Sequence, residues 1–116
     1  MSNAISTFLS SRLPISGLAA YSVHAANQQL ETQCFSKFLY LSSTEEMLRR
    51  LVQDGRTMLP AGESPVQYCW TFESHRVYVT GRPDGLCLAL LVENNPTTQL
   101  VRIQETLQGF LDLEEL

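Results

Sequence analysis

Apolar positions along this chain change period several times, and each change marks an element. Ile5, Phe8 and Leu9, with Arg12, recur at helical spacing and predict a short first helix. Asn3 or Ser2 would cap it, and Pro14 ends it, because the residue before proline is pushed out of the α region. After Gly17, Ala19, Tyr21 and Val23 fall on one face and Leu18, Ala20 and Ser22 on the other. Both faces are small or apolar, which predicts a strand interior to a sheet. The polar segment "ANQQ" (26–29) turns into 30–38, where Leu30, Thr32 and Cys34 alternate with Glu31, Gln33 and Phe35. Two strands joined by a short polar segment make a hairpin.

The period then returns to that of a helix. From Ser42 onward, Met47, Leu48, Leu51, Val52, Gly55, Met58 and Leu59 trace one stripe. Ser43 and Glu46 have capping-box spacing, and Pro60 and Gly62 supply the stop. Glu45–Arg49 and Glu46–Arg50 are pairs four residues apart in the favourable orientation. Gly55 lowers helix propensity by about 1 kcal/mol against alanine. Its place on the apolar stripe points to close approach by another backbone.

Alternation resumes at 66–73, with Val66, Tyr68, Trp70 and Phe72 on one face and Gln67, Cys69, Thr71 and Glu73 on the other. "ESHR" turns, and Val77 and Val79 alternate with Arg76, Tyr78 and Thr80. "RPDG" has turn chemistry: proline presets φ, aspartate bonds nearby backbone and glycine accepts positive φ. "LCLALLV" is apolar on both faces, which predicts a central strand with helices on each side. The last helix carries Leu100, Ile103, Leu107, Phe110 and Leu111, with Pro96 at its first position. Glu114 and Glu115 lie at the end the helix dipole disfavours. The order α-β-β-α-β-β-β-α predicts an α+β fold, a three-layer α/β/α sandwich around a five-stranded, mostly antiparallel sheet.

A chain of 116 residues is one domain's worth, so 1–116 reads as a single domain. Net charge is −4, and seven of the eight basic residues are arginines scattered along the chain. No basic stripe is available for a phosphate backbone or an anionic membrane surface. Cys34, Cys69 and Cys87 are an odd count without metal-ligand spacing, which points to packed free thiols, a reducing compartment and a cytoplasmic location. No apolar run reaches the ~18 residues of a membrane span, and the N-terminus lacks the pattern of a signal peptide.

Candidate chemistry is sparse. The pattern predicts His24 and His75 as strand-end surface residues. Cys69 or Cys87 with His75 is the one conceivable nucleophile pair, but Cys69 and His75 stand too far apart along an extended chain, and no third orienting group is in view. Glu45–Glu46 and Glu114–Glu115 are adjacent residues that do not face one another on a helix. "GRPDG" lacks the Lys-Ser/Thr of a phosphate loop and opens onto a strand. No catalytic residue, cofactor or metal ligand is assigned. What needs explaining is the segment 66–72, which carries neither lysine nor interior proline. If it lies at a sheet edge, pairing with another chain would satisfy its open hydrogen bonds.

Three stretches, "ISGLAAYSV", "TEEMLRRLVQDGRTML" and "RVYVTGRPDGLCLALLV", together with the element order from Ile5 to Leu113, resemble the roadblock/dynein light chain family. The first helix is shorter than is usual there, and "HAANQQ" stands where the family commonly has an Asp/Glu-Gly turn. Longin and profilin-like domains share parts of the architecture. The resemblance implies sheet order 2-1-5-4-3 and a dimer, with itself or with a paralogous roadblock-like subunit. In such a dimer the second helices pack antiparallel and the third strands join edge to edge. On this chain that surface comprises Met47, Arg50, Leu51, Asp54, Gly55 and Met58 of the helix, and Val66, Gln67, Tyr68, Cys69, Trp70 and Thr71 of the strand. It further implies a non-enzymatic adaptor or regulator, often of a Ras-like small GTPase, or a motor-complex subunit; the charge pattern adds that neither nucleic acid nor membrane insertion is expected, and no cofactor is assigned. The competing expectation is a small cytoplasmic enzyme or sensor domain using a core pocket or a reactive cysteine.

Overall fold

A computed structural model describes residues 3–25, 28–58 and 66–113. The elements are α1 (Asn3–Arg12), β1 (Leu18–Ala25), β2 (Gln28–Cys34), α2 (Leu41–Met58), β3 (Val66–Thr71), β4 (His75–Gly81), β5 (Cys87–Glu93) and α3 (Leu100–Asp112). The five strands form one sheet in the order β2-β1-β5-β4-β3, with every neighbouring pair antiparallel. β5 is central, as its two-sided apolar pattern requires, and β3 is an edge.

The sheet divides the core into two layers. On one side α1 and α3 bury Ile5, Phe8, Leu9, Ile103, Leu107 and Phe110 against Tyr21, Val23, Leu88, Leu90 and Val92. On the other, α2 lays Leu48 and Val52 over Ala19, Ala20, Val77, Val79, Ala89 and Leu91. This second face is rich in alanine, so a single helix can settle close to the strands.

Several element ends differ from expectation. β2 begins at Gln28, so two residues of the expected turn belong to the ladder, where they pair with His24 and Ala25. α2 begins at Leu41: the Thr44 N–H donates to the Tyr40 carbonyl at 3.0 Å, closing the first turn. Ser43 is therefore inside the helix and does not cap it. Glu46 turns instead to Arg49 at 2.7 Å and Arg50 at 2.8 Å, so the ion pairs are Glu46–Arg49 and Glu46–Arg50 and not Glu45–Arg49. Pro96 does not open α3. Asn95 Oδ1 accepts the Thr97 N–H at 3.0 Å, folding 95–98 into a turn, and Leu100, at the helix start, is 45% exposed. Ser2, Ala26, Asn27, Leu59, Pro60, Gly62, Glu114 and Glu115 lie outside the described residues.

The "RPDG" turn is built as its chemistry dictates. Gly85 has φ +92°, Asp84 Oδ1 accepts the Leu86 N–H at 3.1 Å, and the Arg82 N–H donates to the Leu86 carbonyl at 2.8 Å. Arg82 then leaves the turn to reach α3. Its guanidinium donates to the carbonyls of Phe110 and Leu111 and lies 5.6 Å from the Phe110 ring centroid. A buried cation on carbonyls at a helix C-terminus is favoured by the macrodipole.

Candidate interaction surface

The orientation of β3's backbone follows from one bond. The Phe72 N–H donates to the His75 carbonyl at 2.8 Å, which makes these two residues a hydrogen-bonded pair. In an antiparallel ladder such pairs alternate, so Trp70 with Val77 and Tyr68 with Val79 exchange bonds with β4. The N–H and C=O groups of Gln67, Cys69 and Thr71 therefore point away from β4, along the outer edge. Among the described residues nothing pairs with that edge. The side chains of Gln67, Cys69 and Thr71 are exposed as well.

Tyr68 and Trp70 point the other way, toward α2. Both are half-buried, and their rings meet edge to face with centroids 6.2 Å apart. They pack on the same cluster as Met47 and Leu51. Helical spacing puts Met47, Leu51 and Asp54 on one flank of α2 and Arg49, Gln53 and Arg56 on the other. The second flank lines a cavity of about 330 Å³ with His24, Gln28 and Gln29, on the β2 side. The first flank therefore faces β3, where Arg50 and Asp54 are exposed. The backbones of Met58 and Val66 end α2 and open β3; their side chains lie outside the described part.

Gly55 does not belong to an open face. It is buried, and a Cβ there would collide with the Cζ and hydroxyl oxygen of Tyr68. The Tyr68 hydroxyl donates to the Val52 carbonyl at 3.1 Å, one turn earlier in the helix. The close approach anticipated at Gly55 is met inside the subunit, by a side chain of β3. Burial, with Cys87 nearby, pushes the Tyr68 hydroxyl's pKa upward. The Trp70 indole N–H is buried without a hydrogen-bond partner among the described residues.

The histidines and cysteines divide differently from expectation. His24 is 3% exposed and so is not a surface residue. Its Nε2 lies 2.6 Å from the Ser22 hydroxyl. Burial, and then the Arg56 charge, lower its pKa to about 4. Cys87, its cross-strand neighbour, accepts from Arg56 Nη2 at 3.2 Å. The same arginine donates to the carbonyls of Ala25 at 3.2 Å and Gly85 at 3.1 Å, so it ties helix to hairpins and is not a solvated helix charge. Cys87 is buried and Cys34 half-buried, but Cys69 is exposed and not packed. The cysteine with a histidine beside it is thus Cys87, with His24. Among the described residues no three of His, Cys, Asp and Glu gather as metal ligands, and no helix is long and apolar enough to cross a membrane. The buried bonding of His24, Arg56 and Arg82 is not anticipated by the sequence reading. Only His24 left a signal there, since it falls on the small-residue face of β1 with Ala20 and Ser22.

No protein-family model matches the chain, and no curated protein sequence matches it. Among solved structures, Myxococcus xanthus MglB is similar with a TM-score of 0.53 at 12% sequence identity, over 81% of this chain and 80% of that one. At that identity the likeness shows a shared fold, and the fold is the three-layer α/β/α sandwich with sheet order 2-1-5-4-3.

Proposed function

We propose that this chain is a non-enzymatic interaction module that dimerises through β3 and the neighbouring flank of α2, with a second copy or with a paralogous roadblock-like subunit. The observation that carries the reading is the row of outward backbone groups on Gln67, Cys69 and Thr71. The strand carries no charge or proline, and among the described residues no element covers its outer edge, so it lacks the features with which edges are usually blunted. The sheet order expected of a roadblock-like chain is the order found, and the fold is shared with MglB.

The dimer, in this reading, is a cytoplasmic regulator or adaptor of a Ras-like small GTPase. No arginine of α2 is assigned to the nucleotide: Arg49 and Arg50 make exposed ion pairs with Glu46, and Arg56 is turned to Ala25, Gly85 and Cys87. Its effect would come from binding switch loops whose order follows the γ-phosphate. Such a regulator shifts a population only if it binds one nucleotide state more tightly than the other. Titration of Ras-like GTPases of the same organism, each in its GTP-analogue and GDP forms, tests this. Tighter binding of the GTP-analogue form supports regulation. Equal affinity for both, or no binding to any, leaves a structural adaptor.

A further inference from the structure

The outward groups of β3 also determine how a second copy would meet it, given the dimer reading above. A closed pair of identical edges is related by a two-fold axis. With the axis normal to the sheet, the two strands run antiparallel and both copies keep α2 on the same side. Backbone groups can bond across the axis only where both strands point them outward, which restricts the partners to Gln67, Cys69 and Thr71.

We propose that two copies pair in the register that joins all three at once: Cys69 with the partner's Cys69 on the axis, Gln67 with the partner's Thr71, and Thr71 with the partner's Gln67. A slip of one residue sets outward groups against inward ones, and a slip of two strands part of the row. The charge pattern suits a second copy. The strand carries no charge to oppose itself across the axis. On the flank of α2 facing β3, Arg50 and Asp54 stand one turn apart; with the helices antiparallel, each copy brings its acid toward the other's base. The register also places Tyr68 opposite the partner's Trp70 on the α2 face, a pairing sheets favour.

Cross-linking of the full chain tests the register. Cys69 is the exposed cysteine, so a short bis-alkylating thiol reagent should join two wild-type chains. With a bis(haloalkyl) reagent, each Sγ forms one carbon–sulfur bond as a carbon–halogen bond breaks, releasing halide and a proton, and no oxidant is needed. Cys69→Ser should abolish the product. In that background Gln67→Cys alone and Thr71→Cys alone should give little, because their own copies stand roughly 14 Å apart at about 3.4 Å per residue. Their equimolar mixture should cross-link efficiently. A dimeric mass with efficient joining at 67–67 or 71–71, or with no joining at any position, overturns the register while leaving the dimer standing. A monomeric mass with no joining at any position removes the dimer reading itself.

Discussion

Gly55 of α2 and Tyr68 of β3 occupy one another's space: the ring lies where a helix side chain would begin. The Tyr68 hydroxyl then bonds the Val52 carbonyl at 3.1 Å, clamping the edge strand beneath the helix. The two halves of the candidate surface are thereby held as one rigid unit.

Gly55→Ala should therefore destabilise the subunit by about 1–3 kcal/mol from overpacking, despite a gain of about 1 kcal/mol in helix propensity. Tyr68→Val withdraws the ring and keeps strand propensity. In that background Gly55→Ala should become neutral or stabilising. Urea unfolding of the four chains reads the coupling, and additive effects would mean that the two residues do not share space.

Thr80 is fully buried on β4, and its hydroxyl has no partner among the described residues. Thr80→Val removes an unsatisfied group and keeps the shape. We expect a gain of roughly 1 kcal/mol, seen as a higher urea midpoint at unchanged slope. A loss would reveal a hydrogen bond to that hydroxyl.

His24 makes stability depend on pH. Its folded pKa of about 4 lies below its ordinary value of 6.5, so between these values the unfolded chain binds more protons. The stability associated with the neutral ring is present above pH 6.5 and declines as pH falls toward 4, by up to about 3 kcal/mol. Arg56 and Cys87 face the ring, and neither gains a compensating negative charge on acidification. His24→Asn keeps a hydrogen-bonding group for Ser22 and should flatten the urea midpoint between pH 6.5 and 5. An unchanged slope would place the titration elsewhere.

Cys69→Pro separates association from folding. The Cys69 N–H points away from β4, and proline is tolerated on an edge strand whose N–H faces outward. This variant should keep subunit stability to within about 1 kcal/mol and lose self-association. Trp70→Pro, at a residue whose N–H bonds β4, should instead destabilise the subunit by about 3 kcal/mol or more. Equal thermal stability of the two variants would refute the assigned backbone orientation.

The parts of this fold legible in the sequence were those written in local periodicity. Ala19–Val23 and Cys87–Val92 are small or apolar on both faces, and that pattern alone places them inside a sheet. Element ends slipped where a residue took an alternative bond. Tyr40 begins α2 with its backbone carbonyl, a role carrying no side-chain signature, while Glu46 pairs with arginines in place of a capping partner. Arg56 and Arg82 were illegible because their carbonyl and thiol partners lie about thirty residues away in sequence. Gly55 carried half a message: the need for close approach was readable, but the identity of the approaching group was not.

The central claim is that the open edge of β3 meets a second copy. Light scattering of the purified chain at tens of micromolar measures this directly. The account predicts a mass twice the 13.0 kDa of one chain, falling to the single-chain value for Cys69→Pro. A wild-type mass of 13.0 kDa at that concentration would contradict it.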